Sequence, residues 1–372
     1  MDFPQNMSME EAFALAEAEA KLNAALAESK ARFEKAEIPN RLNEDWRFGR
    51  PHKYAKELAK RLDFEENSGI SHVDEAGNAA VRLNAEDDDL KQTEMLMPTI
   101  GSDALLGLHL KRFGEGYALY IEEDTKNPIR IVYNTCELYT PSTFIMVAPG
   151  VKAEVEEFYG CLECGTIFAS RNIQVAEGAE LKVRMTCETD GGGSCLIISN
   201  IQNMGGKVAH LTEFKGLSWA REETVAETYS PDSETRLYSA NYLRSMEVLD
   251  QHTKQIHHAG GATSDLLYKN VLDFKATATF AGNIYVAPGA HNTDAYQSNR
   301  NLMLSEDATV NSLPGLEILA DKVRCSHGSA SGPMDEEQLF YLLSRGIPEH
   351  KAHQLIALGF VEEVDNKFNA PF

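Results

Sequence analysis

The residues of this 372-residue chain that could do chemistry are few: six cysteines, eleven histidines and some glycine-rich turns. The densest combination is Cys325-Ser326-His327-Gly328. Two positions apart in a strand, Cys325 and His327 share one face, about 6 to 7 Å apart at Cα. A thiolate and an imidazole so placed suit one metal or cluster, although two donors are too few to hold a stable ion. Cys161-Leu162-Glu163-Cys164 has the spacing that lets two thiolates reach one metal. Structural zinc takes four ligands and no second CxxC or HxxxH accompanies this pair, so two strand cysteines is the favoured reading. His252, His257 and His258 form the densest histidine cluster. Neighbours in a strand face opposite ways, so His257 and His258 cannot enter one site together, and satisfied or solvated imidazoles are expected. Gly191-Gly192-Gly193-Ser194 lacks the Gly-Lys-Ser/Thr ending and βαβ setting of a phosphate loop and reads as a flexible turn, against nucleotide hydrolysis by this chain. Asp87-Asp88-Asp89 lacks the alternation and glycine of a calcium loop and reads as part of a solvated acidic segment over 64–95.

The elements that must position these residues change character along the chain. Residues 8–36 read as an amphipathic helix, with Ser8 and Glu11 as a capping box and Leu15, Leu22, Leu26 and Phe33 on one face. Packing on its own core is favoured over a coiled-coil role. Trp46 and Phe48 are expected to pin the next turn to the core, and a second helix runs from Pro51 to about Leu62. From about residue 100 short β-rich runs alternate with turn residues. Near the end these runs are Ala278 to Phe280, Ile284 to Val286, Leu302 to Leu304 and Leu316 to Leu319, with Ala281-Gly282-Asn283, Pro288-Gly289, Ser305-Glu306-Asp307 and Pro314-Gly315 as turns.

An internal repeat runs through this region. Val147 to Val151, Val175 to Ala179, Val286 to Ala290 and Leu304 to Ala308 share one form, and Asn172-Ile173-Gln174 recurs as Asn200-Ile201-Gln202. A period in the twenties made of short strands predicts a stacked β-solenoid whose turn glycines Gly150, Gly178 and Gly289 occupy equivalent corners. The step from Gly289 to Asp307 breaks the period and 215–260 obscures it, so coils of unequal length are expected. A β-sandwich is the alternative. After Gly332 the period becomes helical: Asp335 caps one segment, Gly346 stops it and Pro348 starts another. The expected organisation is an N-terminal helical region over 1–65, a core over 66–332 and a C-terminal helical hairpin over 333–372.

The last third of the chain resembles the SufB/SufD family of iron–sulfur cluster assembly scaffolds. The residues that carry this include Ser264, Tyr268-Lys269, Leu272-Asp273, Phe280, Gly282, Thr293-Asp294-Ala295, Gln297, Asn299, Asn301-Leu302, Leu316-Glu317-Ile318, Ala320-Asp321, Cys325 and His327-Gly328. The match continues through Leu339 to Leu342 and Ser344-Arg345-Gly346-Ile347, and Glu44-Asp45-Trp46-Arg47-Phe48 is similar to the N-terminal signature of SufD-like members. The resemblance implies a mainly β fold, a right-handed parallel β-helix between helical ends. SufD is favoured over SufB because the chain is short and lacks an N-terminal cysteine-rich motif. Lys322, where members usually carry an acidic residue, and Asn270, in place of a common glycine, depart from the pattern and put a turn there in doubt.

The resemblance further implies a non-enzymatic subunit that pairs with a SufB-type scaffold and a SufC-type ATPase. No cofactor is expected to be stably bound. Cys325 and His327 would be this chain's half of a transient cluster site shared with the sister subunit, with His327 the more important. Flavin on the assembled complex and a homodimer of the isolated chain both stay open. The hairpin would dock the ATPase or merely cap the solenoid's end. Composition agrees: a net charge of −22 gives no footprint for nucleic acid or an anionic membrane. There is no secretory signal and no apolar run near the ~20 residues a membrane span needs. Six scattered cysteines are no disulfide framework, so the cytoplasm is expected. A β-helix enzyme acting on polysaccharide is the alternative; it would need clustered carboxylates and a secretion signal.

Overall fold

The computed structural model describes residues 9–40, 42–46, 51–65, 67–74, 79–83, 88–112, 115–190 and 192–372. The expectations for Ser8 and its partner Glu11, for Phe48 and for Asp87 lie outside what is described. The N-terminal part holds helices α1 (Met9–Lys35), α2 (Pro51–Phe64), α3 (Asp88–Met95) and α4 (Asp103–Leu110), with short strands β1 (Ile70–Asp74) and β2 (Ala80–Arg82). The segment 64–95, expected to be a solvated loop, therefore carries two strands and a helix. The physical reason is pairing: β1 lies antiparallel on a solenoid strand through Val73 and Ile131, and β2 does the same through Val81 and Ala118.

The solenoid follows. Its strands are β3 (Gly116–Ile121), β4 (Ile129–Thr135), β5 (Leu138–Tyr139), β6 (Ser142–Val147), β7 (Lys152–Cys161), β8 (Thr166–Val175), β9 (Glu180–Thr189) and β10 (Ser194–Asn203). They continue as β11 (Lys207–Lys215), β12 (Trp219–Thr228), β13 (Glu234–Leu243), β14 (Val248–His257), β15 (Thr263–Leu272), β16 (Thr277–Val286), β17 (Asp294–Met303), β18 (Thr309–Ile318) and β19 (Arg324–Pro333). Odd strands from β7 stack in parallel in one sheet and even strands from β6 in another, giving a β-solenoid of about eight coils. Helices α5 (Glu336–Ser344) and α6 (Glu349–Asn369) close the chain. The solenoid expectation is met, and the sandwich, which needs antiparallel sheets, is excluded.

The repeat seen in sequence is the coil itself. Asn172, Ile173 and Gln174 pair in register with Asn200, Ile201 and Gln202, and the amides bond across the coils, Gln174 to Gln202 at 2.7 Å. Gly150 and Gly178 turn the same corner at φ of 74° and 69°, where a β-carbon is disfavoured. Gly289 turns that corner further along, in the longer connection between β16 and β17. Leu304 to Ala308 belongs to the opposite corner, between β17 and β18. The step from Gly289 to Asp307 is thus the distance between two corners of one coil, not a break in the period. The region 215–260 is equally regular, with β12, β13 and β14 each ten residues long.

Two of the expected turns are strand interiors. Ala281-Gly282-Asn283 lies within β16, where a β-carbon on Gly282 would stand 2.5 Å from Gln297 Oε1 and 2.6 Å from the Phe280 ring. Glycine is there to admit those side chains, not to reverse the chain. Pro314-Gly315 lies within β18, which pairs on one side only, and an edge strand tolerates a proline. Asn270 is not in a turn either. It sits in β15 between Asn241, at 2.8 Å, and Asn301, at 3.0 Å, as the middle of an asparagine ladder that replaces hydration by amide pairing.

Both outer faces are covered, which is why polar alternation in the strands is weak. Helices α2 and α4 and Trp46 pack over Phe168, Leu196, Ile198 and Trp219 of the even sheet. Trp46 is fully buried, donates its indole N–H to Gly101 O at 2.9 Å and lies over the Arg221 guanidinium, so the expected pin is real. On the odd sheet α6 lays Val364 and Phe368 against Leu211, Tyr238 and Leu267, locked by Lys269 to Glu363 at 2.6 Å and Arg184 to Asp365 at 2.8 Å. Helix α6 therefore lies along a sheet face and does not cap the end of the solenoid.

Candidate functional site at the open end

Among the described residues no further strand lies on the final coil, β18 and β19. Alternation in β19 directs Cys325, His327, Ser329 and Ser331 toward the interior, as it does Ala295, Gln297, Asn299 and Asn301 in the strand beneath. In β18 the residues that continue the buried stripe of Ile284 and Val286 are Leu316 and Ile318, each 37% exposed. An apolar stripe ends in the open, beside two strand edges with unpaired backbone groups.

Cys325 and His327 stand on that end in different surroundings. Cys325 is half-buried against Ile284, Val286, Ala290 and Ala295, and this burial pushes its thiol above the usual range. His327 is exposed. The strand brings the two together on one face as expected, and polar groups continue the row: Ser329 bonds Ser312 at 2.8 Å, and Asn301 bonds Ser331 at 3.1 Å. Among the described residues no group of three histidines, cysteines or carboxylates stands close enough to hold a metal ion. The pair is thus a two-donor set, soft thiol and borderline imidazole, which needs donors from elsewhere to hold iron.

The other sequence candidates are dispersed. Cys161 ends β7, buried, while Cys164 is exposed in the following turn and not in a strand as expected. A hydrogen bond with Cys187 together with burial pushes the Cys161 thiol far up, as burial does for Cys187 and Cys195. His252 is buried and bonds Asp250 at 2.8 Å. His257 faces inward onto Ser264 at 2.9 Å, and His258 faces out onto Glu227 at 2.8 Å and stacks on Tyr229, so the two neighbours do point apart.

Sequence reasoning missed the polar interior. Arg171 and Glu157 form a fully buried ion pair inside the solenoid, with Arg171 also touching Ser199 at 2.9 Å and His210 at 2.7 Å. Burial opposes the Arg171 charge, yet Glu157 outweighs it and holds the guanidinium protonated. Burial, with the same guanidinium adding to it, holds His210 neutral. Glu222 accepts from Gln251 at 2.8 Å, Tyr268 and Thr224 at 3.1 Å and Thr212 at 3.3 Å, while burial raises its pKa. The signal was present in Trp219-Ala220-Arg221-Glu222-Glu223, a charged run inside a strand, which requires partners on both faces.

The fold is that of a parallel β-solenoid protein with helical ends and an uncovered last coil. Residues 131–360 match the family model for SUF system FeS cluster assembly, SufBD core domain, and the chain belongs to that family. Within it the chain is most like SufD. It is 39% identical to the iron-sulfur cluster assembly protein SufD of Escherichia coli over 144 residues, 39% of this chain and 34% of that protein. It is 31% identical to Protein ABCI7, chloroplastic, of Arabidopsis thaliana over 267 residues, 67% of this chain and 56% of the relative. A SufBD family iron-sulfur cluster assembly protein of Synechocystis sp. is 26% identical over 297 residues, 72% of this chain and 63% of the relative. The chain thus spans between a third and somewhat under two thirds of these relatives' length. No helix among the described residues is long and apolar enough to cross a membrane.

Proposed function

We propose that this chain is a non-enzymatic scaffold subunit, cytoplasmic, that pairs through its open end with a SufB-type solenoid. The observation that carries this reading is the uncovered last coil, where unpaired strand edges and the exposed Leu316 and Ile318 adjoin Cys325 and His327. A second solenoid laid edge to edge would satisfy the backbone groups, bury the apolar stripe and bring a second set of donors to the two on this chain. The iron–sulfur cluster is then cargo, built at the junction and passed on, and the chain needs no resident cofactor.

A SufC-type ATPase docks on the C-terminal hairpin in this reading. Helix α5 buries none of its residues, and Phe340 and Tyr341 on it are 72% and 56% exposed, with Leu355 and Leu358 of α6 at 49% and 64%. The inner face of α6 is occupied by the solenoid, so this outer apolar face is left for a partner. The hairpin joins directly to β19, so movement of a docked partner reaches the strand that carries Cys325 and His327. The test is affinity purification from the native cell. Co-purification of an ATPase and a second solenoid supports the reading, and its loss on Phe340→Glu with the second solenoid retained assigns the hairpin. A chain that purifies alone under gentle conditions contradicts it.

A further inference from the structure

A second sulfur-bearing site lies at the opposite end of the solenoid. Of the six cysteines, only Cys136 and Cys164 are exposed. They occupy one corner in successive coils: Thr135 pairs with Cys161 and Leu138 with Thr166, so residues 136–137 lie beneath the turn 162–165. Leu162 N donates to Thr135 O at 2.7 Å, Thr166 N donates to Glu137 O at 2.6 Å, and a β-carbon on Gly165 would stand 3.3 Å from the carbonyl carbon of Cys136. Stacked coils are about 4.8 Å apart, so the two turns are neighbours, and a disulfide between them needs Cα atoms roughly 4.4–6.8 Å apart.

Both cysteines also line one pocket of 570 Å³, completed by Glu137, by Glu57 and Arg61 of α2 and by Glu65 just beyond it. Arg61 is fixed there by Glu65 at 2.8 Å and by the Thr166 hydroxyl. The walls thus offer a guanidinium and carboxylates beside two accessible sulfurs, a setting for a small zwitterionic thiol compound. Of the remaining thiols, Cys161, Cys187 and Cys195 are buried, and Cys325 stands half-buried at the far end with no second cysteine on its coil.

We propose that Cys136 and Cys164 form a redox-active dithiol that exchanges with low-molecular-weight disulfides of the glutathione disulfide class. In the first step one cysteine thiolate attacks a sulfur of the small disulfide; that S–S bond breaks, a mixed disulfide forms and one small thiol leaves with the proton. In the second the other cysteine attacks the mixed disulfide on its neighbour and expels the second small thiol. The pair has then lost two electrons and two protons, and the small disulfide has gained both to become two thiols. The closed bond ties two coils together beneath α2 and leaves β18 and β19 untouched.

The test uses the full-length protein incubated with oxidised glutathione under native conditions, followed by intact mass and peptide mapping. The expected result is loss of two hydrogens and a Cys136–Cys164 cross-linked peptide, reversed by dithiothreitol. Cys136→Ser and Cys164→Ser should each stop at one glutathione adduct. Glutathione retained on both cysteines of the unsubstituted protein, a cross-link to another cysteine, or no reaction at all overturns the proposal.

Discussion

At the scale of single residues, the solenoid interior is held by polar groups that cannot be altered one at a time. Arg171 and Glu157 are both fully buried, so their charges have no water to fall back on. Arg171→Met should destabilise the protein by about 3–5 kcal/mol, because it strands the Glu157 carboxylate, while Arg171→Met with Glu157→Leu should recover most of that loss. Denaturant titration of the single and double variants measures the difference. His257 supplies a pH signature. Burial, with His258 adding to it, lowers its pKa to about 4, so the folded protein keeps it neutral while the unfolded chain protonates it near the ordinary histidine range. Stability from this group is present at neutral pH and is lost as pH falls from about 6.5 toward 4, by roughly 1–3 kcal/mol. His257→Gln, which keeps a donor for Ser264, should flatten stability against pH in that window. The pairing of Arg171 with Glu157 was not legible beforehand because single-sequence alternation shows which face a residue takes, not what meets it across the interior. Cys325 and His327 were legible because their spacing alone fixes a shared face.

The elements show the same division. Strand, corner and hairpin helices could be read from period and turn chemistry, with Asp335 accepting from Glu337 N at 2.9 Å and Gly346 reversing at φ of 80° as the sequence signals require. Gly282 and Pro314 misled because glycine and proline mark a close approach or a strand edge as readily as a turn. Where the hairpin docks was also hidden, since it depends on Lys269 and Arg184, charged positions on strands distant in sequence. Val364→Ala with Phe368→Ala removes the apolar contact of α6 with the odd sheet. The expected outcome is faster amide exchange through α6 by at least tenfold, of order 1.4 kcal/mol or more, with exchange in β11 to β15 unchanged. Equal acceleration in the strands would mean that α6 is part of the core itself.

For the whole molecule, a solenoid must end somewhere, and an uncovered end leaves strand edges with unpaired backbone groups. Here one end carries β1 and β2, whereas the other presents Leu316, Ile318, Cys325 and His327. The coil repeat made the architecture visible in sequence, but the open end depends on which strand comes last and on α6 turning aside to the sheet face. The most direct measurement is cluster assembly with the proposed partners, a purified sister solenoid and ATPase, read by visible absorbance and iron and sulfide content. His327→Ala, at an exposed position, should leave folding and complex formation intact while cluster yield falls at least tenfold. Undiminished yield from the complex carrying both His327→Ala and Cys325→Ala would contradict the account.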